Sequence, residues 1–199
     1  MTDIVLASRN PKKIKELKAL LADLPVRVLS LDDFSGVPEV EETGQTFAEN
    51  AEIKAKIVAQ ATGLISVADD SGLEVDALGG QPGVYSNRFA GPNATDRDKY
   101  MRILELLQGV SDDDRTARFH AAVAVATPEG ETVVVEGTCE GRIARKPRGE
   151  GGFGYDPIFY LPEFGCTMAE LPPDVKNQIS HRAKAMHAAK NVIRRLLAK

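Results

Sequence analysis

Two adjacent aspartates are the residues of this sequence best suited to catalysis. Asp69 and Asp70 directly follow the apolar run 64–68 and precede Ser71 and Gly72. A carboxylate at the end of a buried strand can bind a metal ion or accept a proton from water. Because successive residues of an extended chain point to opposite sides, we expect only one of the two to face a site. By itself the segment is equally typical of a strand that ends in an Asx turn at 69–72.

A second acidic segment, residues 41–51, precedes Asp69 and Asp70 in the chain. Mg²⁺ commonly binds one or two carboxylates together with substrate phosphates, and Glu42 could supply one of them. Lys54, on the helix predicted to follow, could reach a phosphate. The alternative is an acidic surface loop before an amphipathic helix.

Residues 8–13 lie between a predicted strand and a predicted helix. They are Ser8, Arg9, Asn10, Pro11, Lys12 and Lys13. Asn10 suits an N-cap and Pro11 the first helical position. Helix N-termini attract phosphate through their free N–H groups, and Lys13 adds a positive charge. The glycines of a Walker A loop are missing, so a capped helix with a solvated lysine is the alternative.

Two later segments could recognise a flat base. In the glycine-rich stretch 149–157, Phe153 and Tyr155 could stack on a ligand, and Asp156 could anchor a base or ribose edge. In 176–182, His181 and Arg182 could donate to purine carbonyl oxygens. The alternatives are a glycine-rich hairpin with core aromatic residues and a helix start capped by Ser180.

Alternating strand and helix patterns must position these segments. The apolar runs predict strands at 4–7, 26–31, 64–68, 117–126, 132–137 and 157–161, with a hairpin turn at 128–130. Capping patterns predict helices from Pro11, from a capping box at Thr46 to about residue 61, and from Thr95 to about residue 107. A last helix is predicted over 176–198. This mixture favours an α/β fold with a mixed sheet.

Size and composition restrict the class of protein. The 199 residues favour one domain, 43% of them are hydrophobic and 27% charged, and the net charge of -4 argues against a general nucleic-acid binder. The N-terminus lacks the order of a signal peptide, and no apolar run is long enough to span a bilayer. Cys139 and Cys166 match neither a zinc site nor a disulfide framework. We therefore expect a cytoplasmic protein with two free thiols and no membrane partner.

These five segments, in their order along the chain and together with residues 78–83, closely resemble the inosine triphosphate pyrophosphatase family, the XTP/dITP diphosphatases. The matching motifs are Ser8-x-Asn10-x-x-Lys13, Glu41-Glu42-Thr43-Gly44-x-Thr46-Phe47-x-Glu49-Asn50-Ala51, Ala68-Asp69-Asp70-Ser71-Gly72-Leu73, Leu78-Gly79-Gly80-x-Pro82-Gly83, Gly151-Gly152-Phe153-Gly154-Tyr155-Asp156-Pro157 and Ser180-His181-Arg182. Arg9 stands where many members of the family have glycine.

The resemblance implies an elongated mixed sheet with flanking helices and two lobes around a central active-site cleft, all in one domain over 1–199. It implies a homodimer that hydrolyses ITP, dITP and XTP to the monophosphate and pyrophosphate. Glu42 and Asp70 would hold Mg²⁺, with Asp70 also the proton acceptor, and Ser8 to Lys13 would bind phosphate and ribose. The remaining nucleotide contacts would be Ser71, Phe153, Gly154, Tyr155, Asp156, Lys176, His181 and Arg182, and we add Lys54 as a phosphate ligand.

Two rival functions stay open. A Maf-type pyrophosphatase would prefer pyrimidine triphosphates, although the pairing of 153–156 with 180–182 is not expected there. A nucleotide sensor would need the base and phosphate contacts but no general base. We also leave open that Asp69 and Asp70 exchange roles.

Overall fold

The computed structural model describes residues 1–198. The helices in this part of the chain are α1 (Pro11–Leu20), α2 (Phe47–Thr62), α3 (Asp96–Leu106), α4 (Pro173–Ile179) and α5 (His181–Leu197). The strands are β1 (Thr2–Leu6), β2 (Val26–Ser30), β3 (Ile65–Val75), β4 (Thr116–Ala126), β5 (Thr132–Ile143), β6 (Phe159–Leu161) and β7 (Cys166–Thr167). Over these residues the strands form one sheet in the order β2-β1-β3-β4-β5-β6-β7. The predicted mixed α/β fold is confirmed.

The described chain divides into two compact units. Unit 1 comprises residues 1–70, 121–137 and the segment from 181 onward, and unit 2 comprises 71–120 and 138–180. Each of the strands β3, β4 and β5 begins in one unit and ends in the other. The single catalytic domain over 1–199 and its central cleft stay predictions.

Unit 1 is built on parallel strands. β1 pairs in parallel with β2, Ile4 opposite Val28, and with β3, Leu6 opposite Val67. Parallel strands are normally buried on both faces, which accounts for the continuous apolar run of β1. The core combines β1, β3 and β4 with α1 and α5, and its buried residues are Ile4, Leu6, Leu17, Leu21, Leu24, Val67, Ala121, Val123, Val125, Ala185, Met186, Ala189, Val192 and Ile193.

Unit 2 has a separate core and antiparallel strands. β6 pairs antiparallel with β5 and with β7. The Phe119 and Phe159 rings lie 4.3 Å apart between centroids. The buried Arg115 guanidinium donates to the carbonyl oxygens of Leu107, Ile143 and Ala144 at 2.9–3.1 Å. These bonds satisfy a buried cation and tie the end of α3 to the sheet.

Three helix starts follow from local capping. Asn10 Oδ1 accepts from the backbone of Lys12 at 3.0 Å, and Pro11 is the first residue of α1. Thr46 Oγ1 accepts from Glu49 N at 3.1 Å. The Glu49 carboxylate accepts from the backbone N–H of Gln45 and not from that of Thr46. Thr95 and Asp98 form a reciprocal capping box before α3. The predicted helix starts at all three positions are confirmed.

The predicted turn at 69–72 is wrong. β3 continues from Ile65 to Val75, so both aspartates lie in the middle of an eleven-residue strand. Aspartate and glycine favour turns locally, but strand formation depends on partners and burial more than on propensity. Here β3 lies between β1 and β4, both of which supply a ladder. Asp69 and Asp70 are therefore held by the sheet and not by a loop.

Three other boundaries differ from the prediction. The last helix is broken at Ser180, whose backbone is extended (φ -64°, ψ 156°), into α4 and α5. The strand predicted to start at Pro157 begins at Phe159, because Asp156–Ile158 form a 3-10 turn. β5 runs on to Ile143, six residues beyond its predicted end at 137.

Cys139 and Cys166 are both free thiols, as predicted. Among residues 1–198 there is no helix with the length and apolar character required to cross a membrane.

Candidate active site

Asp69 is a buried carboxylate held between two cations in unit 1. Lys13 Nζ lies 3.0 Å from its Oδ1, and Arg182 Nε donates to its Oδ2 at 3.1 Å. Burial alone would raise the pKa of Asp69, but the charges of Lys13 and Arg182 outweigh it and hold the pKa far below the usual range. Asp69 is thus a permanent anion whose charge is neutralised by the protein.

Arg182 links three elements of unit 1. Besides Asp69 on β3, its guanidinium donates from Nη1 to Glu16 Oε2 on α1 at 2.7 Å. The arginine itself lies at the start of α5 and is almost completely buried. Two of its nitrogens therefore donate to carboxylates of the protein itself. Its predicted contact with a base stays a prediction. The sequence analysis did not identify Glu16. Its position one helical turn after Lys13 on the same helix could have indicated that it lies near the same site.

Asp70 has a different set of neighbours. Lys54 Nζ lies 3.6 Å from Asp70 Oδ1 and 2.8 Å from Glu42 Oε1, and it donates to the carbonyl oxygen of Asp69 at 2.7 Å. Burial raises the pKa of Asp70 to about 6, with Lys54 opposing this shift and Glu42 adding to it. The two carboxylates together raise the pKa of Lys54 despite its burial. Asp70 is thus a more basic carboxylate than an ordinary aspartate.

The donors around Asp70 fit a hard divalent cation. Asp70 Oδ2 is buried and has no hydrogen-bond partner among the residues described. Glu42 offers a second, partly exposed carboxylate, which pairs with the same lysine, Lys54. No cluster of three or more His, Cys, Asp or Glu residues suited to a metal ion occurs within 1–198. A site with two carboxylates, completed by water and substrate phosphates, is the arrangement that Mg²⁺ usually takes.

Asn50 braces the Asp70 side of this cluster. It is buried on α2, its Oδ1 accepts from Gly44 N at 2.7 Å, and its side-chain amide lowers the pKa of Asp70, against the effect of burial. A Cβ on Gly44 would lie 2.7 Å from Asn50 Oδ1, so only glycine permits this approach. The motif contained Asn50 and Gly44, but sequence analysis had not assigned them a role.

The phosphate-binding segment predicted at 8–13 is a capped helix start. Ser8 Oγ accepts from Asn10 N at 3.1 Å, and exposed Arg9 pairs with Asp32 at 3.3 Å. Lys12 is exposed, whereas Lys13 is buried against Asp69. The structure therefore brings Lys13 to the aspartates and leaves Arg9 at the surface.

The predicted contacts Phe153, Asp156 and Lys176 lie together in unit 2. Lys176 Nζ lies 2.8 Å from Asp156 Oδ2 and 4.9 Å from the centroid of the Phe153 ring. Asp156 Oδ2 also accepts from Phe153 N at 3.0 Å. A Cβ on Gly152 would lie 2.0 Å from the same oxygen, and its φ of +67° also favours glycine. Glycine at position 152 thus allows the Asp156 carboxylate to approach the backbone closely.

The rest of the predicted nucleotide contacts are more enclosed. Tyr155 belongs to the core of unit 2, and its hydroxyl donates to Ser86 O at 2.7 Å, so its backbone is the part available to a ligand. His181 is buried as the first residue of α5 in unit 1. Ser71 is partly exposed on β3. Their roles stay predictions.

The geometry agrees with an extensive similarity to known proteins. The sequence model of the Ham1 family matches residues 4–192. A dITP/XTP pyrophosphatase of Geobacillus kaustophilus is 57% identical, over 94% of this chain and 91% of its own. One of Desulforamulus reducens is 52% identical, over 97% and 96%. The solved HAM1 protein of Coxiella burnetii superposes with a TM-score of 0.89 at 47% identity, over 98% of this chain and 100% of that one.

Proposed function

Because the chain belongs to the Ham1 family, we propose that it hydrolyses non-standard purine nucleoside triphosphates such as dITP, ITP and XTP. The products are the monophosphate and pyrophosphate. The observation that carries this chemistry is the buried Asp70 beside Glu42 and Lys54, with one carboxylate oxygen that has no hydrogen-bond partner within residues 1–198. A carboxylate of raised pKa next to a cation suits proton transfer at an anionic substrate.

Within unit 1 we assign the triphosphate to the cations and to the start of α1. The dipole of α1 favours an anion at its start, and Lys13 and Lys54 neutralise charge that shifts toward pyrophosphate. Lys13 can leave Asp69 without leaving that carboxylate unpaired, because Arg182 holds its other oxygen. Asp69 therefore keeps one cationic partner when Lys13 contacts phosphate.

Glu42 and Asp70 are the proposed ligands of a divalent cation, which we expect to be Mg²⁺. When bound, it would neutralise phosphate oxygens and fix the orientation of the triphosphate. Asp70 also accepts a proton from the water that attacks the α-phosphorus. Phosphoryl-type transfer depends mainly on positioning and charge, so no covalent nucleophile is needed.

Within unit 2 we assign the base to Phe153 and its neighbours. The partly exposed ring of Phe153 suits stacking, which contributes about 1–3 kcal/mol for a base. Gly154, Tyr155 and Asp156 shape this segment, and Lys176 adds a donor. Adenine carries an amino group in place of the 6-oxo group, so a buried donor that pairs with the oxo group would be left unpaired by adenine, at a cost of about 1–3 kcal/mol.

A substrate panel tests the proposed function. We expect pyrophosphate release from ITP, dITP and XTP to exceed that from ATP, dUTP and dTTP, and to stop when the divalent cation is chelated. Fastest turnover of a pyrimidine would instead support the Maf-type alternative.

The Asp70→Asn variant separates an enzyme from a sensor. We expect turnover to fall by about 10²–10⁴-fold while ITP binding is largely kept, because the amide cannot accept the proton. Asp23→Asn, which changes an exposed aspartate of unit 1 paired with Lys190, is the matched control and should keep full activity. Wild-type protein that binds ITP with Mg²⁺ but releases no pyrophosphate would establish the sensor.

A further inference from the structure

Two consecutive backbone N–H groups of the glycine-rich segment are each held by an aspartate. Phe153 N donates to Asp156 Oδ2 at 3.0 Å, and Gly154 N donates to Asp96 Oδ2 at 2.8 Å. Asp156 belongs to the segment itself, but Asp96 lies 58 residues earlier on another element of unit 2. Hydrogen bonds to a carboxylate are among the stronger ones in proteins.

Asp96 is itself held in place. It is the first residue of α3, directly after the N-cap Thr95, where the helix dipole favours a carboxylate. Lys99 Nζ lies 3.3 Å from its Oδ1, which leaves Oδ2 for Gly154. The charge of Asp96 also adds to the effect of burial in raising the pKa of Tyr155, as expected for a carboxylate close to this segment.

These contacts restrain the peptide that joins Phe153 to Gly154. Its N–H is bound by Asp96, and its carbonyl oxygen accepts from Asp156 N at 3.3 Å. A peptide held at both ends limits the directions in which the Phe153 ring can point. Lys176, 4.9 Å from the ring centroid, completes the restraint on the side chain.

We propose that Asp96 is a positioning residue for base recognition, acting through the Gly154 N–H to orient the Phe153 ring. This rests on the proposed function, in which Phe153 stacks the base of the nucleotide. The energy of stacking depends on ring orientation, so loss of Asp96 should weaken substrate binding more than it slows the chemical step.

Three variants test the role of Asp96. Asp96→Ala removes the acceptor, and Asp96→Asn keeps an oxygen that can accept from Gly154. Asp98→Ala removes a neighbouring carboxylate that caps Thr95, so it controls for loss of charge and stability at the start of α3. We expect KM for ITP to rise about ten-fold in Asp96→Ala, with kcat within about two-fold, and to stay near wild type in the other two.

Amide hydrogen exchange supplies a readout independent of activity. Exchange at Gly154 should accelerate in Asp96→Ala and not in Asp98→Ala. Equal KM values and equal exchange in these two variants would overturn the inference while leaving ITP hydrolysis by the wild type intact. Lack of ITP turnover in the wild type would overturn the proposed function, and exchange would still decide whether Asp96 holds the segment.

Discussion

At the scale of single residues, Asp69 and Asp70 show how neighbours give identical side chains different properties. Both are buried on β3. Asp69 faces Lys13 and Arg182, so it is ionised and its charge is neutralised. Asp70 shares one lysine with Glu42, and one of its oxygens has no hydrogen-bond partner in the described part of the chain. The first arrangement stabilises the fold, and the second leaves a carboxylate available for chemistry.

This contrast predicts opposite effects of two matched substitutions on the metal-free protein. Asp69→Asn leaves two buried cations without their shared counter-charge and should lower the free energy of unfolding by about 3–5 kcal/mol at neutral pH. Asp70→Asn removes a carboxylate whose ionisation costs more free energy in the folded than in the unfolded protein. With a pKa of about 6 against 3.8, the substitution should raise the free energy of unfolding by roughly 2–3 kcal/mol at neutral pH.

The dependence on pH separates the two effects. Asp70 destabilises the fold only above its unfolded pKa, so the gain in Asp70→Asn should grow between about pH 4 and pH 6 and vanish below. The contribution of Asp69 is complete above about pH 4 and is lost as the pH falls toward its lowered pKa. Denaturant unfolding in chelator across this range measures both, and a pH-independent gain in Asp70→Asn would contradict the assignment.

At the scale of elements, α2 carries Lys54 to the carboxylates. Its start is set by Thr46, which accepts from Glu49 N, and its end by Gly63 in the left-handed conformation. The strand that receives Lys54 is β3, whose partners keep residues 69–72 extended against their local preference for a turn. A helix whose ends are set by local capping and a strand whose extent is set by its neighbours in the sheet therefore meet at the proposed metal ligands.

The N-cap of α2 gives a prediction at this scale. Thr46→Ala should lower the free energy of unfolding by about 1 kcal/mol, because the Glu49 N–H loses its acceptor. Thr62→Ala, which removes a hydroxyl bonded back to Val58 O on the same helix, should cost less. Chemical denaturation of both variants measures the difference, and equal losses would show that the cap contributes nothing particular.

At the scale of the whole molecule, the assembly implied by the family resemblance is a homodimer. We expect sedimentation to show a species of twice the chain mass at micromolar concentration. Since neither Cys139 nor Cys166 forms a disulfide within residues 1–198, dithiothreitol should not change this distribution. A monomer at every concentration would refute the dimer, and reductant-sensitive dimers would indicate an intermolecular disulfide.

Local chemistry explains what the sequence by itself determined. The helix starts at Pro11, Phe47 and Asp96 follow from caps that contact residues within three positions. The mixed α/β class follows from alternating patterns, and the family follows from the order of the motifs. Each depends on nearby residues or on the linear order, which the sequence displays directly.

Only the tertiary structure decided which charged groups meet. Arg182 reaches Asp69 across 113 positions of the chain, and Asp96 reaches Gly154 across 58. Sheet pairing extended β3 through both aspartates, and so brought Lys54 to Asp70 and Lys13 to Asp69. Partner identity and burial set each pKa, and both arise from contacts distant in sequence. The different roles of Asp69 and Asp70 therefore came from the fold and not from their adjacent positions.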